Sequence, residues 1–140
     1  MKKIIIFIIL TVLLIFIVDL GAEINLDNLW KPVLVEATGE GRTGMYAVAC
    51  VYRNRISKGM NLGSSGMKRK DLDRFIYLQG RQQEIIAKDV VYEVFVEHKE
   101  DVTGGATYFE NIEEFGIPYW YYDMNETCKI GNHTFFKEKE

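Results

Sequence analysis

Two stretches of the chain carry apolar residues at helical spacing. From Arg42 to Lys58, Met45, Val48, Ala49, Tyr52 and Ile56 recur on one face, with Thr43 as a possible N-cap. From Gln82 to Lys99, Ile85, Ile86, Val90, Val94 and Phe95 form a broad stripe, widened by Ala87 and Val91. Each predicts an amphipathic helix. Arg53, Asn54 and Arg55 crowd the C-terminal half of the first, where cations suit the helix dipole. A third segment, Asn28 to Thr38, is helical in pattern, with Asp27 as a plausible N-cap. Pro32 kinks this segment or marks its true start. Thr38-Gly39-Glu40-Gly41 ends it. Gly59 to Gly66 reads as a loop, and Lys68 to Tyr77 as a short helix.

The pattern changes after the turn Asp101-Val102-Thr103-Gly104-Gly105. Tyr108, Phe109, Tyr119, Trp120, Tyr121, Tyr122, Phe135 and Phe136 then crowd among Gly116, Pro118 and Gly131. Aromatic runs broken by turn residues predict short strands and loops, with at least one of Trp120, Tyr121 and Tyr122 buried. The fold class expected is α+β: mostly helical, with a small β-hairpin region near the C-terminus. With 140 residues, 48% of them hydrophobic, one folded domain is expected.

The first twenty residues differ from the rest. Met1-Lys2-Lys3 precedes an apolar run from Ile4 to Val18, interrupted only by Thr11, and then Asp19-Leu20-Gly21-Ala22. A basic start, an apolar run and small residues describe an export signal. Fifteen helical residues rise only about 22 Å, short of a roughly 30 Å hydrocarbon core. Residues 1–22 are therefore read as a signal peptide or a retained N-terminal membrane anchor, ahead of a buried core helix. Residues 23–140 are read as the exported domain, secreted or held at the cell envelope. Without Lys2, Lys3 and Asp19, 15 basic and 19 acidic residues remain, which argues against a nucleic-acid partner.

Candidate chemistry gathers first at Val35-Glu36-Ala37-Thr38-Gly39-Glu40-Gly41. Glu36 follows Val33, Leu34 and Val35. Apolar neighbours disfavour the charged form of a carboxyl group, which suits a general acid for glycosidic cleavage. Glu40 lies past Gly39 in or near a turn and is expected to be solvated. It is read as a structural group that caps or bonds loop amides, or as a sugar contact. As a second carboxylate for hydrolysis it would need a separation of about 5–9 Å from Glu36.

The C-terminal third adds Thr103-Gly104-Gly105-Ala106-Thr107-Tyr108-Phe109-Glu110-Asn111, then Pro118-Tyr119-Trp120, then Ile130-Gly131-Asn132-His133-Thr134-Phe135. With Glu36-Ala37-Thr38-Gly39-Glu40 and the helix Ala47-Val48-Ala49-Cys50-Val51-Tyr52-Arg53-Asn54-Arg55, this order of boxes resembles the bacterial cell wall hydrolases of the spore cortex-lytic (SleB) type. The likeness spans about residues 30–136. It implies a small lysozyme-like domain acting on peptidoglycan glycan strands, with Glu36 as catalytic acid and no metal or organic cofactor. The implied reaction is lytic transglycosylation between N-acetylmuramic acid and N-acetylglucosamine. One acid protonates the leaving oxygen, and the muramic 6-hydroxyl closes an anhydro ring. The chain departs from that pattern at Thr38, where the family has arginine, and at Glu110, often histidine. Between Leu72 and Gln83 no clear Gln-Phe-Ser segment appears. These differences bear on substrate preference more than on fold.

Four further residues join Glu40 as candidate substrate contacts. Tyr108 and Trp120 suit the apolar faces of sugar rings or belong to the core. Asn111 suits an acetamido group or holds a turn. His133 suits a substrate hydrogen bond, or orients Glu36, or bonds its own loop. Two histidines are too few for a zinc peptidase. A Cys–His peptidase would need Cys50 or Cys128 activated beside His133, yet neither sits at a helix start. The two cysteines could pair in an oxidising compartment, but Cys50 sits in an apolar helical stretch where a free cysteine is a buried small hydrophobe, and the reading leans against a disulfide. The rival from another class is a catalytically weak, membrane-tethered peptidoglycan-binding module.

Overall fold

The computed structural model describes residues 25–139. The expectation for residues 1–22 lies outside them. Among the described residues, five helices and three strands follow in the order α1 (Trp30–Glu36), α2 (Gly41–Ser57), α3 (Leu72–Gln79), α4 (Arg81–Phe95), β1 (Tyr108–Glu110), α5 (Ile112–Phe115), β2 (Met124–Ile130) and β3 (His133–Glu138). Single 3₁₀ turns lie at Leu26–Asn28, Gly66–Lys68 and Tyr121–Asp123. The mainly helical α+β architecture is thus present, and its small sheet holds the C-terminal hairpin. Among the described residues no helix is long and apolar enough to cross a membrane.

Helix α2 is the axis. Met45, Val48, Ala49 and Tyr52 pack with Val33 and Leu34 of α1 and with Ala87, Val90 and Val94 of α4. Its other side, Ala47 and Val51, packs on Ala106 and Phe135 beside the sheet. The helix is buried on both sides, and each fully buried valine contributes roughly 1.5–3 kcal/mol. A stripe on one face therefore understates its burial. The sheet is antiparallel with order β1-β3-β2. Gly131 and Asn132 link Ile130 to its partner His133, a two-residue hairpin turn that needs the positive φ of Gly131, +60°.

Several boundaries differ from expectation. Asp27 does not cap α1, which starts at Trp30, and Pro32 fits without a kink in its first turn. Thr43 lies inside α2 rather than at its cap. Helix α3 starts at Leu72, four residues later than the pattern indicates. Helix α4 stops at Phe95 instead of Lys99. Arg53 Nη1 donates to the carbonyls of Val94 (2.9 Å) and Lys99 (2.8 Å), and the Tyr46 hydroxyl donates to that of Glu100 (2.8 Å). These tertiary donors claim the carbonyls, and His98 turns left-handed at φ 52°. Helix α5 was not anticipated. None of Trp120, Tyr121 and Tyr122 is fully buried; the first two are half-buried and Tyr122 is exposed.

The Arg53-Asn54-Arg55 run clasps three segments rather than merely suiting a dipole. Asn54 Nδ2 donates to Asp101 Oδ2 and to the Ala106 carbonyl, each at 2.9 Å. Arg55 donates to the carbonyls of Asn61 (2.6 Å) and Thr107 (3.0 Å). Asp101 also accepts from the Thr103 amide and hydroxyl and the Gly105 amide. Burial works to raise the Asp101 pKa, but these hydrogen bonds outweigh it and hold the carboxyl below its usual range. Its stabilising contribution is therefore complete above about pH 4, the unfolded value, and fades as pH falls through the lower folded value. Asp101→Asn is expected to lower stability by about 1–2 kcal/mol at pH 7. Thermal unfolding followed from pH 7 to pH 3 should show the gap between variant and parent closing.

Candidate active site

The C-terminus of α1 and the turn after it, the C-terminal half of α2, the 62–65 loop, β1 with α5, and the β2–β3 hairpin tip surround a cleft of about 670 Å³. All six site residues expected from the sequence line it: Glu36, Glu40, Tyr108, Asn111, Trp120 and His133. A second hollow, about 740 Å³ between α3 and α4, gathers Ile76, Tyr77, Leu78 and Ile85 but none of these groups.

Glu36 is the last residue of α1. Its neighbours Val33 and Leu34 face the core, while its own carboxylate faces the cleft wall. One oxygen, Oε1, accepts from the Ser64 hydroxyl (2.6 Å) and the Gly66 amide (2.9 Å). Its setting is therefore more polar than the run Val33-Leu34-Val35 implied. Among the described residues Oε2 takes no hydrogen bond from the protein, so it is the oxygen free to serve a ligand. Gly66 permits this cradle by packing. A Cβ there would stand 2.3 Å from Val35 Cγ1 and 3.3 Å from Glu36 Oε1. Sequence inspection passed over Ser64 and Gly66 because Gly63-Ser64-Ser65-Gly66 looks like any flexible loop.

Glu40 is not solvated as expected: its side chain is only 6% exposed. It stands at the N-cap position of α2 without capping it. Its Oε2 accepts from the Asn132 amide at 3.0 Å, across 92 residues of sequence. The bond to a loop amide, one of the readings offered for Glu40, is thus made at the hairpin tip. A Cβ at Gly131 would come within 1.8 Å of that oxygen, so only glycine lets the two approach. His133 Nδ1 lies 3.9 Å from Glu40 Oε1 and is buried with no hydrogen-bond partner among the described residues. The histidine thus faces Glu40 rather than orienting Glu36, and its Nδ1 makes no bond to its own loop. Its ring meets Phe109 edge-on at 5.2 Å.

The aromatic wall is half-buried. Trp120 lies 5.1 Å from Tyr108 and 5.3 Å from Phe136, ring centre to ring centre, and Arg55 sits 5.2 Å over Tyr108. Packing fixes Tyr108 and Trp120 while leaving part of each open to the cleft, and Phe136 is buried behind them. Asn111 holds a turn: it accepts from the Glu114 amide at 3.2 Å and donates to the Glu114 carboxylate at 2.8 Å. Thr38, in place of a family arginine, spends its hydroxyl on the Leu34 carbonyl at 2.9 Å.

The cysteines take no part. Both are unpaired. Burial pushes the Cys50 thiol up to about 11, too weak an acid for a nucleophile near neutral pH, and also raises Cys128. Among the described residues no three histidines, cysteines or carboxylates stand together as a metal site.

The model of the cell wall hydrolase family aligns with residues 39–136. The chain belongs to the cell wall hydrolase family. The alignment begins three residues after Glu36, so the case for Glu36 rests on its place in the cleft. No curated protein matches this cell wall hydrolase by sequence. Among solved structures it resembles the catalytic domain of the germination-specific lytic transglycosylase SleB from Bacillus anthracis. That likeness has TM-score 0.58 and 26% identity, and it covers 84% of this chain and 98% of that one. The catalytic domain of the Bacillus cereus SleB protein shares the fold, with TM-score 0.52 and 21% identity over 80% and 88% of the two chains.

Proposed function

We propose that this cell wall hydrolase cuts peptidoglycan glycan strands as a lytic transglycosylase, with Glu36 as its single acid and base. The observation that carries this reading is the contrast between the two glutamates. Glu36 presents an unengaged Oε2 to the cleft. Glu40 is shielded and committed to the hairpin tip, so it is not placed as a free nucleophile or base. A one-carboxylate mechanism fits such a site. Glu36 Oε2–H gives its proton to the oxygen linking muramic C1 to the next sugar, and the C1–O bond breaks toward that oxygen. The carboxylate then takes the proton of the muramic 6-hydroxyl as that oxygen bonds to C1. Glu36 ends protonated, and no water is consumed.

Tyr108 and Trp120 offer stacking faces for the sugar rings, and Asn111, Glu40 and His133 shape the polar side. We also assign residues 1–22 to export, as a cleaved signal or a retained anchor, which would deliver the domain to the wall. The mass of the exported protein distinguishes the two.

The test is mass spectrometry of fragments released from purified peptidoglycan. Products ending in an anhydro sugar are expected. Products one water heavier would overturn transglycosylation in favour of hydrolysis. Binding to the wall without products would leave a binding module.

A further inference from the structure

Behind Glu36 stands a group for which the reaction as written finds no use. Tyr52, on α2, is 1% exposed, and its ring belongs to the core shared with α1 and α4. Yet it also reaches the cleft wall that carries Glu36. Its hydroxyl is buried and makes no hydrogen bond among the described residues. An unpaired buried hydroxyl costs on the order of 1–3 kcal/mol, so phenylalanine would be the more stable choice if packing were all that mattered. The hydroxyl lies beside the two groups already described. Burial first, and then the charge of Glu36, raise its pKa, while the neighbouring Ser64 side chain lowers it. Tyr52 therefore stays protonated and remains a donor throughout the working pH range.

Resting on the assignment of Glu36 as acid and base, we propose that Tyr52 is a positioning residue that stabilises the ionised Glu36 through Ser64. Ser64 spends its one hydroxyl hydrogen on Glu36 Oε1, which leaves its lone pairs free to accept. A Tyr52 O–H turned onto the oxygen of its neighbour Ser64 completes a chain from Tyr52 to Ser64 to Glu36. Each donor in such a chain polarises the next. The gain is largest when Glu36 has given up its proton, after the leaving oxygen is protonated. An interaction that strengthens as charge develops raises kcat rather than affinity. The unpaired hydroxyl of the resting enzyme is then a donor held for the charged state.

The other charged groups on this cleft are Arg55, one turn along α2, Glu40 and His133 at the hairpin tip, and Glu110 and Glu114 on the β1–α5 side. None of them gives or accepts a hydrogen bond with Ser64 or Tyr52.

The test compares Tyr52→Phe, Ser64→Ala, the double variant and Glu36→Gln on purified peptidoglycan. Tyr52→Phe is expected to fold with an unchanged or higher thermal midpoint. Its kcat should fall about tenfold at unchanged KM, the scale of one hydrogen bond to a charged network. Losing the donor makes the Glu36 carboxylate less stable, so the alkaline limb of the kcat profile, where Glu36 loses its proton, should move to higher pH. Adding Tyr52→Phe to Ser64→Ala should cost nothing further, since the chain runs through Ser64. Native kcat and an unmoved limb in Tyr52→Phe, with Glu36→Gln inactive, would overturn the role of Tyr52 alone. Full additivity of the two variants would overturn the route through Ser64. An active Glu36→Gln would overturn the underlying assignment and this inference with it.

Discussion

Glu36→Gln is expected to lose about 10³-fold in rate of glycan release while keeping its fold and its hold on the wall. Glutamine has the shape of glutamate but no proton to give, and a positioned general acid contributes typically 10²–10⁴-fold. The structure adds a reason to expect an intact fold. Glu36 Oε1 accepts from Ser64 and Gly66, and a glutamine oxygen can accept the same two bonds. What is lost is the proton on the other position, where an amide nitrogen replaces Oε2. Circular dichroism and thermal unfolding should match the parent, and pelleting with insoluble peptidoglycan should persist. A folded variant that releases fragments at the parent rate would remove Glu36 from the chemistry.

Gly66→Ala should also cost activity, about tenfold less than Glu36→Gln, without touching any group that reacts. Gly66 has no positive φ, so alanine suits its backbone, and the objection is purely one of contact. The new methyl group would lie 2.3 Å from Val35 Cγ1, a distance no carbon pair sustains. Either α1 shifts at its C-terminal end or the 64–66 loop backs away. Both move Glu36 relative to its donors, and a displacement of about 1 Å can cost 10²-fold. We expect kcat to drop on the order of 10²-fold, with a thermal midpoint only a few degrees lower. Gly39→Ala offers a contrast. Its methyl group would meet nothing within 4 Å, but its φ of +84° strains any larger residue. It should lose stability rather than geometry at the acid.

These contrasts show where sequence reading succeeds. Helices α2 and α4 were legible because burial imposes a 3.6-residue period that survives in one dimension. The six candidate residues stand out because each sits in a short box of fixed order, and all six line one cleft. Glu40 was read half correctly. Its bond to a loop amide was among the readings, but its burial was not, because Gly39 and Gly41 resemble a solvated turn. The amide it meets lies 92 residues away, on a hairpin whose glycine leaves room for it. Nothing local to Glu40 records that neighbour.

The sequence by itself determined the helical period, the turn positions, the acidic balance and the family to which the boxes belong. Those properties are set by neighbours in the chain, through periodicity, glycine backbone freedom and charge. Only the tertiary structure decided which oxygen of Glu36 stays free, that Glu40 is locked away, and that α4 ends at Phe95, where Arg53 bonds the Val94 carbonyl. It also decided that Tyr52 holds an unpaired hydroxyl behind the acid. Each of these is a contact between segments far apart in the chain. Such contacts depend on distances that packing sets and that no local pattern encodes.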